Sequence, residues 1–290
     1  MTVLIVSSTR DPASINIKQH LLINDEWDEI ELFNKNPVFR NKNMKDVIIV
    51  TINDNKINHE NIDMEIKEEL GINPKEVIFI SRHTSKTGSP TLTVHPIGNY
   101  GKAEYGGKDR ELIQTSPKLM TQLLRVLKKT AEQTKLYHKV CFEVTHHGPY
   151  LKVPTLFIEV GSNMEEWTKQ KPAEVVAKSI LELLKSYHYE KDLPKEIPVL
   201  LGIGGGHYAP RFTDVILEKQ SAFGHMIPTY QINNGNIDED IIEKAINTTP
   251  NLEAVYLHRK FLKKSQRTYY KNWFKERNIP VISSKELIPL

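Results

Sequence analysis

The chain has 290 residues, 39% of them apolar and 26% charged, with a formal net charge of +3. That length can bury one large core or two smaller ones, and the balance excludes a disordered tail and a histone-like polycation. The single cysteine, Cys141, excludes an intramolecular disulfide and a four-thiolate metal site.

In chain order, residues 3–7 read as a buried strand and 14–23 as the helix that follows. Residues 46–51 and 76–81 are two more β-branched runs. Ser116-Pro117 sets an N-cap ahead of a first-turn proline, and Leu119, Met120, Leu123, Leu124 and Leu127 follow at helical spacing. Residues 140–145 and 155–160 read as strands, and 172–187 as a helix with Val175, Val176, Ile180, Leu183 and Leu184 inward. Strands at 197–203, 254–257 and 281–282 and helices at 237–246 and 262–277 complete the list. The alternation predicts an α/β fold, with a mixed, mostly parallel central sheet covered by helices on both faces. No linker and no repeat of 20 to 50 residues divides the chain. Residues 1–290 are therefore expected to form a single compact catalytic domain, of two closely packed lobes at most. The polar stretch 54–63 and the glycine-rich stretch 98–111 read as surface loops. No apolar run nears the roughly 20 residues that cross a bilayer, and the first seven residues hold neither a basic leader nor a cleavage site. A cytoplasmic location without membrane contact is expected.

In α/β sheets, ligands gather beyond the carboxyl ends of strands. Six of the 11 histidines, His83, His95, His146, His147, His207 and His225, fall at predicted strand ends or in glycine-rich turns. With one cysteine in the chain, a transition-metal site must be built from imidazole and carboxylate, which are the ligands of catalytic rather than structural zinc. Each histidine alone is equally compatible with a hydrogen-bonded structural residue; several together point to chemistry. Glu143 and Glu159 lie among apolar neighbours, where a carboxylate is either solvated at an edge or held by a partner. The run Gly204, Gly205 and Gly206 directly after a buried strand suits close backbone approach to a ligand, or a plain flexible turn. It is not a dinucleotide fingerprint, since His207 stands where that motif needs glycine. A phosphate loop fails because Gly107 replaces its lysine. HExxH is absent, because His59-Glu60 is followed by Asp63. Lys264, Arg267 and Lys271 lie on the last predicted helix beside Tyr269, Tyr270, Trp273 and Phe274. That helix is either a surface helix with its aromatics in the core or a positive field for RNA phosphates.

The blocks SRHTSKTG (81–88), TLTVHPIGN (91–99), FEVTHHGPYL (142–151), TLFIEVGS (155–162) and GIGGGHYAPRFTD (202–214) strongly resemble the archaeal and plant type of D-aminoacyl-tRNA deacylase. The resemblance runs from the first strand to about residue 282, with the blocks in the family's order. It implies hydrolysis of the ester between a D-amino acid and the terminal ribose of tRNA, a proofreading reaction, with zinc as cofactor. It also implies a three-layer α/β/α body similar to peptidyl-tRNA hydrolases and nucleoside phosphorylases. On this reading zinc is held by a subset of His83, His95, His146, His147 and His207 with Glu143 or Glu159, and activates water. The remaining carboxylate serves as general base. Lys86 or Arg211 stabilises the oxyanion or grips the terminal phosphate, and Gly204, Gly205, Gly206 and His225 contact the substrate. Lys264, Arg267 and Lys271 would hold the tRNA, and no obligate protein partner is implied. The competing readings are a metal-assisted amidase or nucleoside phosphorylase-like enzyme acting on a small molecule, and a non-catalytic RNA-binding module.

Overall fold

The computed structural model describes residues 2–187 and 197–290. The run Val3-Leu4-Ile5-Val6 forms β1 (Thr2–Ser8), and Asp11 caps α1 (Pro12–Asn24) by accepting a hydrogen bond from Ser14 N. A hairpin absent from the sequence reading follows: β2 (Trp27–Phe33) and β3 (Asn36–Asn41), turned by Asn34 and Lys35, both with left-handed backbone. Next come β4 (Val47–Ile52), α2 (Ile62–Leu70), β5 (Pro74–Thr84), β6 (Thr91–Pro96), α3 (Pro117–Gln133), β7 (Lys139–Phe142) and β8 (Thr155–Ser162). The short α4 (Met164–Thr168) leads into α5 (Gln170–Ser186). The remaining chain forms β9 (Val199–Ile203), α6 (Pro210–Glu218), β10 (Ala222–Ile227), α7 (Thr229–Asn233), α8 (Glu239–Asn247), β11 (Leu252–Leu257), α9 (Lys264–Glu276) and β12 (Val281–Ile282).

The α/β class and the mixed, mostly parallel sheet are as expected, but there are two sheets rather than one. The larger runs β2-β3-β4-β1-β5-β8-β6-β7, with β4, β1, β5 and β8 mutually parallel and β6 antiparallel to β8. The smaller, β10-β9-β11-β12, is parallel throughout. They remain separate because β7 ends at Phe142, short of the predicted 145. Beyond it the backbone donors turn to the second sheet's segments: Val144 N reaches His207 O at 2.9 Å and Thr145 N reaches Met226 O at 3.1 Å.

One apolar cluster joins α1, α3 and α5 to the larger sheet and continues through Leu200, Phe212 and Phe223 into the smaller one. A second lies on the opposite face under Ile62 and Ile66 of α2, and a third joins α8 and α9 to β9 and β11. No helix among the described residues is long and apolar enough to cross a membrane.

The two stretches expected as surface loops are partly interior. Lys56, in a 3-10 turn (Lys56–Asn58), is buried and paired with Asp11. The carbonyl of Ile57 rests on Gly106 so closely that a Cβ there would lie 1.6 Å from it, and Gly106 has φ +72°. Only glycine meets both demands.

Candidate metal centre

Strand register gathers the reactive side chains. Pairing of β5 with β8 sets His83 beside Gly161 and Ser81 beside Glu159, and pairing of β6 with β8 sets Thr93 beside Glu159. Because side chains alternate, His83, Glu159 and His95 share one face. Gly161 leaves His83 its space, since a Cβ there would lie 3.0 Å from His83 Cδ2. Glu143 follows β7, its N donating to Val94 O at 3.1 Å, and the next turn brings His146 and His147 back over His95. His207 arrives from the loop after β9.

The resulting cluster contains three overlapping sets whose donor atoms lie within 4.8 Å of one another: His95, His146 and His147; His83, Glu143 and His207; His95, Glu143 and Glu159. In the first set each ring fixes its own tautomer. Nδ1 of His95 donates to Pro96 O at 3.1 Å, that of His146 to Val144 O at 2.7 Å, and that of His147 to Gly148 O at 2.6 Å. Nε2 of His146 and of His147 is left as a lone-pair donor for a ligand, and that of His95 becomes one when its second proton leaves, the arrangement seen in metal-binding histidines.

The carboxylates complete the pattern. Glu143 lies 3.1 Å from His83, 3.0 Å from His207 and 3.5 Å from His146. Even so, both its oxygens, and His95 Nε2, are buried without an aligned hydrogen bond. Buried polar atoms are rarely left so. Carboxylate oxygens and imidazole nitrogens gathered so closely are of the charge and donor type that a divalent cation takes.

Burial alone would raise the carboxyls of Glu143 and Glu159. The contact of His207 with Glu143 and those of His83 and His95 with Glu159 outweigh it and hold both below the ordinary range. Burial would likewise lower His83 and His95, but Glu159 and Glu143 lift both above it. His146 and His147 are held low by burial and by the charge of His95, His147 at about 4. Two imidazoles are thus poised to be neutral ligands beside two ionised carboxylates.

A cavity of about 920 Å³ opens onto this cluster. His83, His146, His147, His207 and Glu159 line it, whereas His95 and Glu143 sit behind. Residues not anticipated from sequence form its other walls, among them Lys56, Tyr100, Tyr105, Tyr230 and Gln231. Burial and the Glu143 charge push the Tyr230 phenol up to about 12.

Several anticipated residues are not brought to the cluster. Arg211 is engaged elsewhere, donating to Tyr256 Oη at 2.9 Å and Ser284 Oγ at 2.8 Å, and Lys86 is exposed in the turn after β5. His225 is buried in β10 against Thr145. The N–H of Gly204 donates to Ile227 O and that of Gly205 to Thr229 Oγ1, so neither is free for a substrate. Gly206 alone of the three is half-exposed, with open space at its Cα. None of these six lines the cavity. On α9, Tyr270, Trp273 and Phe274 enter the core, while Lys264 and Lys271 are exposed and Arg267 is half-exposed.

Comparison with known proteins adds ancestry to this geometry. Residues 70–282 match the family model described as D-aminoacyl-tRNA deacylase. A D-aminoacyl-tRNA deacylase of Pyrococcus abyssi is 39% identical over 96% of this chain and 98% of its own length. That of Methanosarcina mazei is 35% identical over 98% and 93%. The crystal structure of a conserved protein of unknown function, AF0625, matches 100% of this chain and 99% of its own with TM-score 0.87 and 28% identity.

Proposed function

The chain belongs to the D-aminoacyl-tRNA deacylase family, a family of ester hydrolases, and we propose that its cluster of imidazoles and carboxylates is where the aminoacyl ester is cleaved with the help of zinc. The observation that carries this reading is the trio His95, His146 and His147, with outward Nδ1 bonds and inward lone pairs, beside two buried carboxylates at the floor of a cavity. Those three nitrogens with Glu143 are the donors that would hold the ion. When bound, zinc would polarise the ester carbonyl and bring the pKa of water towards about 7.

The chain's own groups divide the remaining work. Glu159 reaches the cavity and Glu143 does not, so Glu159 is the carboxylate that accepts the proton of the attacking water. His83 Nδ1, 3.3 Å from Glu159 and 3.1 Å from Glu143, holds both carboxylates in place, and its Nε2 meets Tyr208 Oη at 3.1 Å. Arg82 and Lys102 line the cavity, as does Lys56, which is paired with Asp11; the first two are the cations it offers to an acceptor-end phosphate, the role that sequence alone gave to Lys86 and Arg211.

The test is release of D-tyrosine from D-Tyr-tRNA, with L-Tyr-tRNA as control and zinc measured by elemental analysis. His146→Ala should lower kcat/KM at least 100-fold and reduce bound zinc, while the circular dichroism spectrum is kept. Full activity in that variant, or activity that survives exhaustive chelation, removes the metal-site assignment.

A further inference from the structure

The cavity is larger than an aminoacyl group needs, and away from the cluster its walls change character. At about 920 Å³ it lies near the upper end of the range for drug-sized ligands. Two tyrosines line it with part of their surface exposed: Tyr230 on α7, 38% exposed, and Tyr105 on the 98–111 loop, 66% exposed. Gln231 beside Tyr230 accepts from Asn236 Nδ2 at 2.6 Å, which leaves its own amide hydrogens for a ligand.

This wall is built rather than incidental. Gly205 and Thr229 exchange two hydrogen bonds, N to Oγ1 and N to O, both at 2.9 Å, so the glycine turn fixes the start of α7. Arg110 holds the 98–111 loop against the same region through Asp238 at 2.7 Å. Exposed aromatic faces with nearby amides and hydroxyls are the means by which proteins seat unpaired bases, which stack on the ring and bond along their edges.

We propose that Tyr230, Tyr105 and Gln231 form a purine-nucleoside subsite that seats the terminal adenosine of the tRNA. The inference rests on the deacylase reading of the cluster. An ester on the terminal ribose that reaches the imidazoles places the base one sugar away, and the tyrosine-lined wall adjoins them within one cavity. Tyr230 is the main stacking platform, and the Gln231 amide donates to a ribose or base acceptor.

The probe is adenosine, titrated calorimetrically into the protein as purified, with uridine as comparison. Adenosine should bind the wild type more tightly than uridine does. Tyr230→Ala should weaken it roughly 5- to 150-fold, the range for one base stacked on one ring, and Tyr230→Phe should restore it. Tyr105→Ala, at an exposed position that does not threaten folding, should weaken it as well. In turnover of D-Tyr-tRNA the loss in Tyr230→Ala should fall on KM rather than kcat. Adenosine that fails to bind the wild type, or binds both alanine variants equally well, overturns the subsite. Failure of the deacylase reading looks different: D-Tyr-tRNA stays intact with the wild type while adenosine binding still depends on Tyr230.

Discussion

Replacing Asp11 by alanine should be among the most damaging single changes outside the cluster. Its carboxylate, 3% exposed, accepts hydrogen bonds from Lys56 Nζ, from Arg82 N at 2.9 Å and from Ser14 N at 3.0 Å. Removing it leaves the Lys56 ammonium buried with no counter-charge, which costs about 3–5 kcal/mol. The lost helix cap adds about 1 kcal/mol, and the Arg82 amide about 1–3 kcal/mol if no water reaches it. Because all three share one carboxylate they do not add fully, and a total of about 4–6 kcal/mol follows. At about 2 °C per kcal/mol for a chain of this size, the melting temperature should fall by roughly 10 °C. Lys56→Met should cost less, since Asp11 keeps two amide donors. The double variant should be more stable than Asp11→Ala alone, because the orphaned ammonium is gone. Thermal melts of the three variants followed by circular dichroism decide it: a double variant no more stable than the single one refutes the buried-pair argument.

Two further outcomes follow from charge. After chelation, stability should fall as pH drops from about 6.5 to 4, read as melting temperature. Burial holds His138, His146, His147, His225 and His258 low, and imidazole contacts hold the carboxyls of Glu143 and Glu159 low, so the unfolded chain takes up protons the folded one refuses; these seven outnumber Glu76, which burial pushes up to about 7, and His83 and His95, which the two carboxylates lift, all three of opposite effect. A melting point that climbs towards pH 4 contradicts this. Charge reversal at Lys264 and Arg267 should raise KM for tRNA more at 50 mM than at 200 mM salt, roughly the range over which phosphate contacts weaken; an unchanged KM leaves α9 a plain surface helix.

The cluster was legible in sequence and most of its surroundings were not. His83, His95, His146, His147, His207, Glu143 and Glu159 stand at strand ends or just past them, and the structure draws all seven together. The same local signal selected Arg211, His225 and the glycine turn, which lie apart from the cavity. Position at a strand end does not say which way a side chain points. Arg211 falls in the first turn of α6 and faces Tyr256, while His225 alternates into the interface behind Thr145. Lys56 and Tyr230 carried no local signal, because they reach the cavity through contacts between distant segments, Ile57 on Gly106 and Thr229 on Gly205. The hairpin of β2 and β3 was missed for another reason: Asn34-Lys35 is an uncommon pair for a turn with both residues left-handed, where glycine usually follows asparagine.

The charges within the cluster make one more demand. Glu143 and Glu159 are held ionised, His146 and His147 neutral, and His83 and His95 above the usual imidazole range. Below those raised values the two carboxylates therefore face two protonated imidazoles, His83 and His95. A dication drawn to the same carboxylates repels those protons and needs the His95 lone pair, so its entry should expel them. Below the raised imidazole values, apparent zinc affinity should rise about 100-fold per pH unit, flattening once both rings are neutral. Calorimetric titration of the chelated protein with zinc at pH 6, in buffers of different ionisation enthalpy, counts the protons without recourse to turnover. Close to two is expected. Zinc binding with no proton release would mean that the imidazoles facing the carboxylates are already neutral, and the electrostatic account of the cluster would have to be abandoned.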